Sequence, residues 1–227
     1  MGQKIRPNSL RLGIIENWKS RWWTNGNFKA SLEEDEAIRK VIRDRVTPAG
    51  IVRIEIERVA VKANAFRVFI KVAKPGLVIG RGGKGIEELV KAIEAKLRAI
   101  FVKRGDPKRT ASVSLNIEEL RRSEVSAQYV AQSIAWDLEK RMSGRRTMKR
   151  YLEFVMQNRD VQGAKVKLSG RIDGAEISRR EMLSRGKLPL QTLRANIDYG
   201  EATAFSSYGT VGVKVWVYKG EVFERGK

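Results

Sequence analysis

The architecture of the first half of this chain follows from one stretch, KPGLVIGRGGKGIEELVKAIEAK, residues 74–96. It places a cluster of glycines and two cations between two apolar segments. The cluster consists of Gly80, Arg81, Gly82, Gly83, Lys84 and Gly85. Pro75–Gly76 ends the preceding segment, and apolar residues recur at helical spacing from Ile86 onward. The pattern predicts a glycine-rich loop that leads directly into a helix.

Three kinds of phosphate site use such a loop. A dinucleotide fingerprint needs a buried strand ending at the first glycine, but Pro75–Gly76 leaves only residues 77–79 for it. A P-loop needs Ser or Thr where Gly85 stands, because that hydroxyl holds magnesium. A KH module clamps about four nucleotides with a G-x-x-G loop between two helices, and residues 80–83 fit. Because glycine lets main-chain N–H groups approach phosphates closely, and two cations flank the loop, the third option is favoured.

The apolar pattern predicts an α+β protein with a basic N-terminal arm and two folded parts. Residues 1–30 carry six basic residues and one acidic residue with little periodicity, and are predicted as an extended arm. Residues 31–118 follow the order helix, strand, strand, short helix, glycine loop, helix, strand. Ser31 and Glu34 form a capping box, and the acidic run 33–36 is predicted to meet the dipole at the helix start.

Residues 119–227 are predicted as a second α/β domain, joined through the charged segment 118–124. Two helices are predicted over about 125–142 and about 145–158, and they pack on a small sheet. The sheet is predicted from three extended segments, residues 164–172, 174–190 and 210–220.

The second predicted helix of this domain has one basic side. Helical spacing places four cations on that side and apolar residues on the other. The cations are Arg145, Arg146, Lys149 and Arg150. A solvated helix face usually mixes acids with bases, yet no acid occurs from Arg141 to Arg150. Because arginine binds phosphate through two parallel hydrogen bonds, the cluster favours RNA over a merely solvated surface.

Composition restricts the function further. Lys and Arg outnumber Asp and Glu by 46 to 26, a formal net charge of +20, which indicates a polyanionic partner. The chain has no Cys and no His, so disulfides, the usual zinc sites and imidazole bases are excluded. No metal site and no cofactor are predicted. No apolar run approaches the roughly 18–20 residues of a spanning helix, and no signal peptide is recognised. These features favour a cytosolic nucleic-acid-binding protein over a membrane-surface protein.

With these residues in view, the chain resembles the family of the bacterial small-subunit ribosomal protein number three over essentially its whole length. The resemblance is carried by MGQKIRPNSLRLGI, AKPGLVIGRGGKGIEEL, RRTMKR, VKLSGRIDGAEISRRE and LRANIDYGEATAFSSYGTVGVKVWVYKGE. Within these, SGRIDGAEISR is the most specific to the family, more so than the G-x-x-G loop.

The resemblance implies a type II KH domain followed by a C-terminal α/β domain, located in the head of the small ribosomal subunit. It implies 16S-type ribosomal RNA and small-subunit proteins two, ten and fourteen as partners, with proteins four and five beside the mRNA entry channel. The family's residues implicated in unwinding structured mRNA fall on Arg145, Arg146 and Lys149. No enzymatic activity is implied. Two alternatives remain at this point: a free-standing KH-type RNA regulator, and a nucleotide-dependent enzyme that uses the glycine loop.

Overall fold

The computed structural model describes residues 4–23, 27–58, 65–106, 109–121 and 124–223. Residues 1–3 and 24–26 of the predicted arm, and residues 122–123 of the predicted connection, lie outside this description. The chain divides into two compact units. The first unit is Trp18–Arg121, and the second unit is Arg122–Lys227 together with Met1–Asn17.

The helices and strands are numbered along the chain. The first elements are α1 (Pro7–Leu10), β1 (Ser20–Arg21), α2 (Phe28–Val46), β2 (Ile51–Arg58), β3 (Ala65–Val72), α3 (Pro75–Ile79), α4 (Lys84–Lys103) and β4 (Ser112–Glu119). The remaining elements are α5 (Ala127–Glu139), α6 (Gly144–Met156), β5 (Gly163–Gly170), β6 (Arg179–Gly186), β7 (Ala195–Ser206) and β8 (Gly209–Glu221).

The first unit is a sheet of order β1-β2-β3-β4 with α2 and α4 packed on one face. Strands β2 and β3 are antiparallel, whereas β4 runs parallel to β3. Alternate strand residues such as Ile56 and Val68 face Ile42 of α2 and Ile93 of α4 in a continuous apolar core. The predicted order of elements is therefore found. The two-residue strand β1, contributed by the predicted arm, extends the three predicted strands to four.

Helix α2 starts earlier than the predicted capping box allows. Its N-cap is Asn27, whose side chain accepts a hydrogen bond from the Ala30 N–H at 3.2 Å. Ser31 is thus already inside the helix, and the acidic run lies in the second turn, too far from the helix start to cap it. Glu34 and Asp35 are instead fully buried. The predicted capping role of the acidic run is wrong, because these two carboxylates point into the protein.

The second unit is an antiparallel sheet of order β6-β5-β8-β7. Helices α5 and α6 pack on one face, which we call the inner face, and bury residues such as Ile134, Met148, Val166 and Val215. The opposite face of this sheet is called the outer face. The two predicted helices on a small sheet are confirmed.

The sheet has four strands, and β7 is the strand missing from the sequence prediction. Its inner positions are occupied by small or polar residues, so it lacks the alternation that marks a strand. The reason is the close approach of α5: a Cβ on Gly200 would lie 2.4 Å from the backbone of Ala127. Asp198 contributes too, because its carboxylate accepts a hydrogen bond from the Ala127 N–H at 2.8 Å and caps α5.

The residues predicted as one extended arm divide between the two units. In the second unit, the guanidinium of Arg11 is buried and donates to the carbonyls of Pro7, Leu190, Thr192 and Ala195 at 2.6–3.1 Å. Burial lowers the pKa of this guanidinium. The start of the chain is therefore held by a buried cation that satisfies backbone carbonyls. The boundaries at residues 31 and 119 stay predictions.

Candidate nucleic-acid interface

The glycine loop joins the short helix α3 to the long helix α4, as the sequence predicts. The backbone at Gly80 has φ 68° and ψ −177°, a combination essentially confined to glycine. Gly82 and Gly83 follow with φ 62° and 81°. Gly85 has a different constraint, since a Cβ there would lie 2.4 Å from the Val78 carbonyl oxygen. Each glycine therefore has a local structural reason, and their number alone does not argue for a ligand.

What favours a ligand is the open surface above the loop. A Cβ on Gly82 or Gly83 would meet no atom within 4 Å, so the main chain is reachable from solvent. Arg81 and Lys84 are both exposed, and no carboxylate forms an ion pair with either of them among the described residues. Helix α4 starts at Lys84, and its N-cap Gly83 provides no side-chain capping bond. Exposed main chain, the positive end of the helix dipole and two cations thus meet at one point.

A partly buried ionic network holds the other end of α4. Arg104, just after the helix, donates to the carboxylates of Glu33 and Glu34, each at 2.6 Å. Arg58, at the end of β2, donates to Glu34 at 2.8 Å and to Asp35 at 2.7 Å. The hydrogen bond from Arg104 lowers the pKa of Glu33. The network connects α2, β2 and α4. It therefore fixes the position of helix α4, which begins at the glycine loop.

Helix α6 carries the second predicted site, and its first turn is fixed from outside the helix. The N-cap Ser143 makes no side-chain capping bond, but the Gly144 N–H donates to Asp173 at 2.8 Å. Asp173 lies in a short turn, Ile172–Gly174, with φ 55°. A Cβ on Gly144 would lie 2.9 Å from the Ile172 side chain, so the helix start fits closely against this turn.

The two sides of α6 separate as predicted. Met148, Leu152 and Val155 are buried in the core of the second unit. The four predicted cations, Arg145, Arg146, Lys149 and Arg150, are all exposed. Arg146, Lys149 and Arg150 line a shallow depression on this surface together with Met142, Thr147 and Glu153.

Arg150 differs from the other three cations. It forms an ion pair with Asp137 of α5, and its guanidinium lies 5.0 Å from the ring centre of Tyr151. The Tyr151 hydroxyl also donates to Asp137, at 2.8 Å, and burial followed by this hydrogen bond raises the pKa of Tyr151. Arg145, Arg146 and Lys149 have no ion pair with any described residue. The charge available to a ligand on α6 is therefore carried by three residues.

Comparison with known proteins supports the identification of both predicted domains. A family model for the KH domain matches residues 37–125, and a model for the ribosomal protein S3, C-terminal domain, matches residues 134–217. The small ribosomal subunit protein uS3 of Desulfitobacterium hafniense is 46% identical over 227 residues, covering 100% of this chain and 96% of the relative. The protein of the same name from Clostridium novyi is 46% identical over 228 residues, with the same coverage. The chain belongs to the ribosomal protein S3 family.

Membership in the S3 family confirms the resemblance and the α+β fold of a KH domain followed by an S3 C-terminal domain. The chain is accordingly a structural, RNA-binding component of the small ribosomal subunit and not an enzyme. The described residues contain no cluster of acidic side chains suited to a metal ion. No helix among them has the length and apolar character to cross a bilayer.

The sequence interpretation did not assign the roles of several carboxylates of this S3-family chain that pair with cations or fix a helix end near the sites. Glu34, Asp35, Asp137 and Asp173 act through partners that are distant in sequence, so no local spacing indicates them. One signal was available near Asp173, because the glycines at positions 144 and 174 suggest close packing at this point.

Proposed function

We propose that this chain binds ribosomal RNA in the head of the small subunit and also holds incoming mRNA at the entry channel, helping to unwind its structured segments. The glycine loop, residues 80–84, is the proposed ribosomal RNA contact. Its exposed main chain and cations suit a sugar-phosphate backbone rather than a base sequence.

The mRNA contact is assigned to α6. The observation that carries it is the exposure of Arg145, Arg146 and Lys149 on a helix whose opposite side is fixed in the core. Three cations on one rigid helix hold a single RNA strand through its phosphates and do not stack on its bases. Because phosphate contacts do not depend on base sequence, successive codons can pass. Unwinding is then passive: the helix holds single strands as the ribosome pulls, and no nucleotide is consumed. Arg150 contributes less, because Asp137 neutralises it.

The proposed neighbours follow from the S3 family. They are small-subunit proteins two, ten and fourteen in the head, and proteins four and five around the mRNA entry. We place the chain in the cytoplasm, in the assembled subunit. A free-standing KH-type regulator would be found away from ribosomes in a sedimentation gradient.

The test is a charge reversal on α6, Arg145→Glu with Lys149→Glu. Ribosomes with this variant should translate an unstructured mRNA normally but pass a stable hairpin several-fold more slowly, because two phosphate contacts become repulsive. A reconstituted translation system that times passage through the hairpin measures this.

The matched control is Lys140→Glu with Arg159→Glu, which reverses two exposed cations elsewhere in the same unit. It should pass the hairpin at the normal rate. Normal passage by the α6 variant, once its incorporation into the subunit is verified, would remove the mRNA role.

A further inference from the structure

The outer face of the second unit's sheet carries a second group of cations that the proposed function leaves without a role. Arg180 of β6, Lys165 and Lys167 of β5, and Lys214 of β8 lie on this face. We call these four residues and the surface between them the open sheet face. Helix α6 packs on the inner face, so the open sheet face and the α6 cations are on opposite sides of the same unit.

The open sheet face lacks compensating acids. Glu201 of β7 is the carboxylate that the strand register places next to one of these cations. It lies opposite Lys214, but it is paired with Arg6 and accepts a hydrogen bond from Tyr199 at 3.0 Å. No described carboxylate forms an ion pair with Lys167, Lys214 or Arg180. A merely solvated sheet would be expected to alternate charge between neighbouring strands.

The register makes this arrangement costly for the isolated protein. Lys167 and Lys214 are direct cross-strand partners, and such partners have Cβ atoms roughly 5 Å apart. Like charges in this position destabilise a sheet. Lys165 is opposite Trp216 in the next register position, with its ammonium group 5.7 Å from the ring centre. A polyanion lying across the strands would relieve the repulsion between these ammonium groups.

The surface also leaves room for a sugar-phosphate backbone to lie close to the sheet. Gly212 of β8 is the cross-strand partner of Ser169, so one position between the cations has no side chain. One end of the outer face is closed by Leu188 and Leu190, which pack on Tyr218. We propose that the open sheet face binds the phosphate backbone of ribosomal RNA.

A neighbouring protein is a poorer fit to this surface. The centres of protein interfaces are depleted of lysine and enriched in aromatic and apolar residues. Here Lys167 and Lys214 are central. The large apolar side chains near them are Met182, which is 64% exposed, and Trp216, whose ring lies near the Lys165 ammonium group. The proposal rests on the chain's place in the small subunit but not on the role of α6.

The test compares full-length Lys167→Gln with Lys214→Gln against a matched control, Lys140→Gln with Arg159→Gln. Binding is measured to particles reconstituted from ribosomal RNA and the other small-subunit proteins, over a range of salt. The open-face variant should bind roughly 10- to 30-fold more weakly, with a salt slope smaller by nearly two, because two cations no longer neutralise phosphates. Its melting temperature should rise slightly, because the opposed like charges are gone. The control should change none of these three quantities.

A photoreactive residue at position 167 identifies the occupant. A crosslink to ribosomal RNA supports the proposal; a crosslink to a protein, or none, overturns it. Unchanged affinity of the open-face variant also overturns it and indicates a solvated face. Arg145→Glu with Lys149→Glu should bind these particles normally, so failure at this surface is distinguishable from failure of the mRNA role.

Discussion

The double substitution Arg81→Asp with Gly82→Asp separates an RNA-binding loop from a purely structural turn. It replaces one cation and adds two carboxylates, a change of three unit charges at the exposed start of α4. If each unit charge interacts with a phosphate by about 1 kcal/mol at close range in water, binding weakens by about 3 kcal/mol, or roughly 150-fold. The slope of affinity against salt should fall by about 0.7 for each phosphate of a single strand that the loop no longer neutralises.

The same substitution should hardly affect folding. Gly82 has φ 62° and ψ 24°, where an ordinary L residue costs about 1–2 kcal/mol. Its Cβ meets no atom within 4 Å, so no steric clash is added. Carboxylates at the start of α4 regain about 0.3–1 kcal/mol from the helix dipole. The net loss is about 1 kcal/mol, equivalent to a fall in melting temperature of about 4–8 °C for a unit of this size.

Fluorescence anisotropy with a single-stranded RNA, together with thermal melting, measures both effects on the full chain. Gly82→Ala is the matched control, because it has the same backbone strain without the charge, and it should keep RNA affinity within a few-fold. Gly85→Ala sets the structural reference, since its Cβ would lie 2.4 Å from the Val78 carbonyl oxygen. If Gly82→Ala weakens RNA binding as much as the double variant, or melts as early as Gly85→Ala, the loop glycines are structural and the RNA-binding role of the loop is refuted.

Two further predictions concern the buried and half-buried polar groups. Glu34→Gln should lower the free energy of unfolding by about 3–5 kcal/mol in urea, because it leaves Arg58 and Arg104 short of a buried carboxylate; a loss under about 1 kcal/mol would contradict this. Burial and the hydrogen bond to Glu201 raise the pKa of Tyr199 to about 12, so wild-type stability should decline as pH rises from about 10 to about 12, where the unfolded phenol ionises first. Tyr199→Phe should not show this part of the decline in stability. In an ultraviolet titration, the variant should also lack the tyrosine ionisation that occurs at the highest pH in the wild type.

The sequence is most informative where one element buries one regular face. Apolar residues recur at helical spacing along α4 and α6 and alternate along β2, β3 and β8, so their order and their buried sides are predicted. Prediction fails at β7, because Gly200 and Asp198 serve the approach of α5 and not the apolar core. It also fails at the start of α2, because Asn27 is an equally good N-cap and lies four residues before Ser31.

The candidate sites also combine features that the sequence predicts with features that depend on contacts distant in sequence. The exposed cations of the loop and of α6 are predictable, because neighbours in sequence place them on one side of an element. Ion pairing is not predictable in this way, because Asp137 reaches Arg150 from another helix. Similarly, Glu34 and Asp35 interpreted by position alone suggest a helix cap, whereas the fold brings Arg58 and Arg104 to them.

A formal charge of +20 therefore overstates what a polyanion can use. Arg58 and Arg104 are neutralised by buried carboxylates, and Arg11 satisfies backbone carbonyls. These arginines stabilise the two units and present little charge to a ligand. The glycine loop, the α6 residues Arg145, Arg146 and Lys149, and the open sheet face instead carry cations that form no ion pair with a described carboxylate. Because phosphate binding depends on unpaired, exposed charge at defined positions, the distribution of the cations and not their sum is the basis for the RNA contacts proposed above.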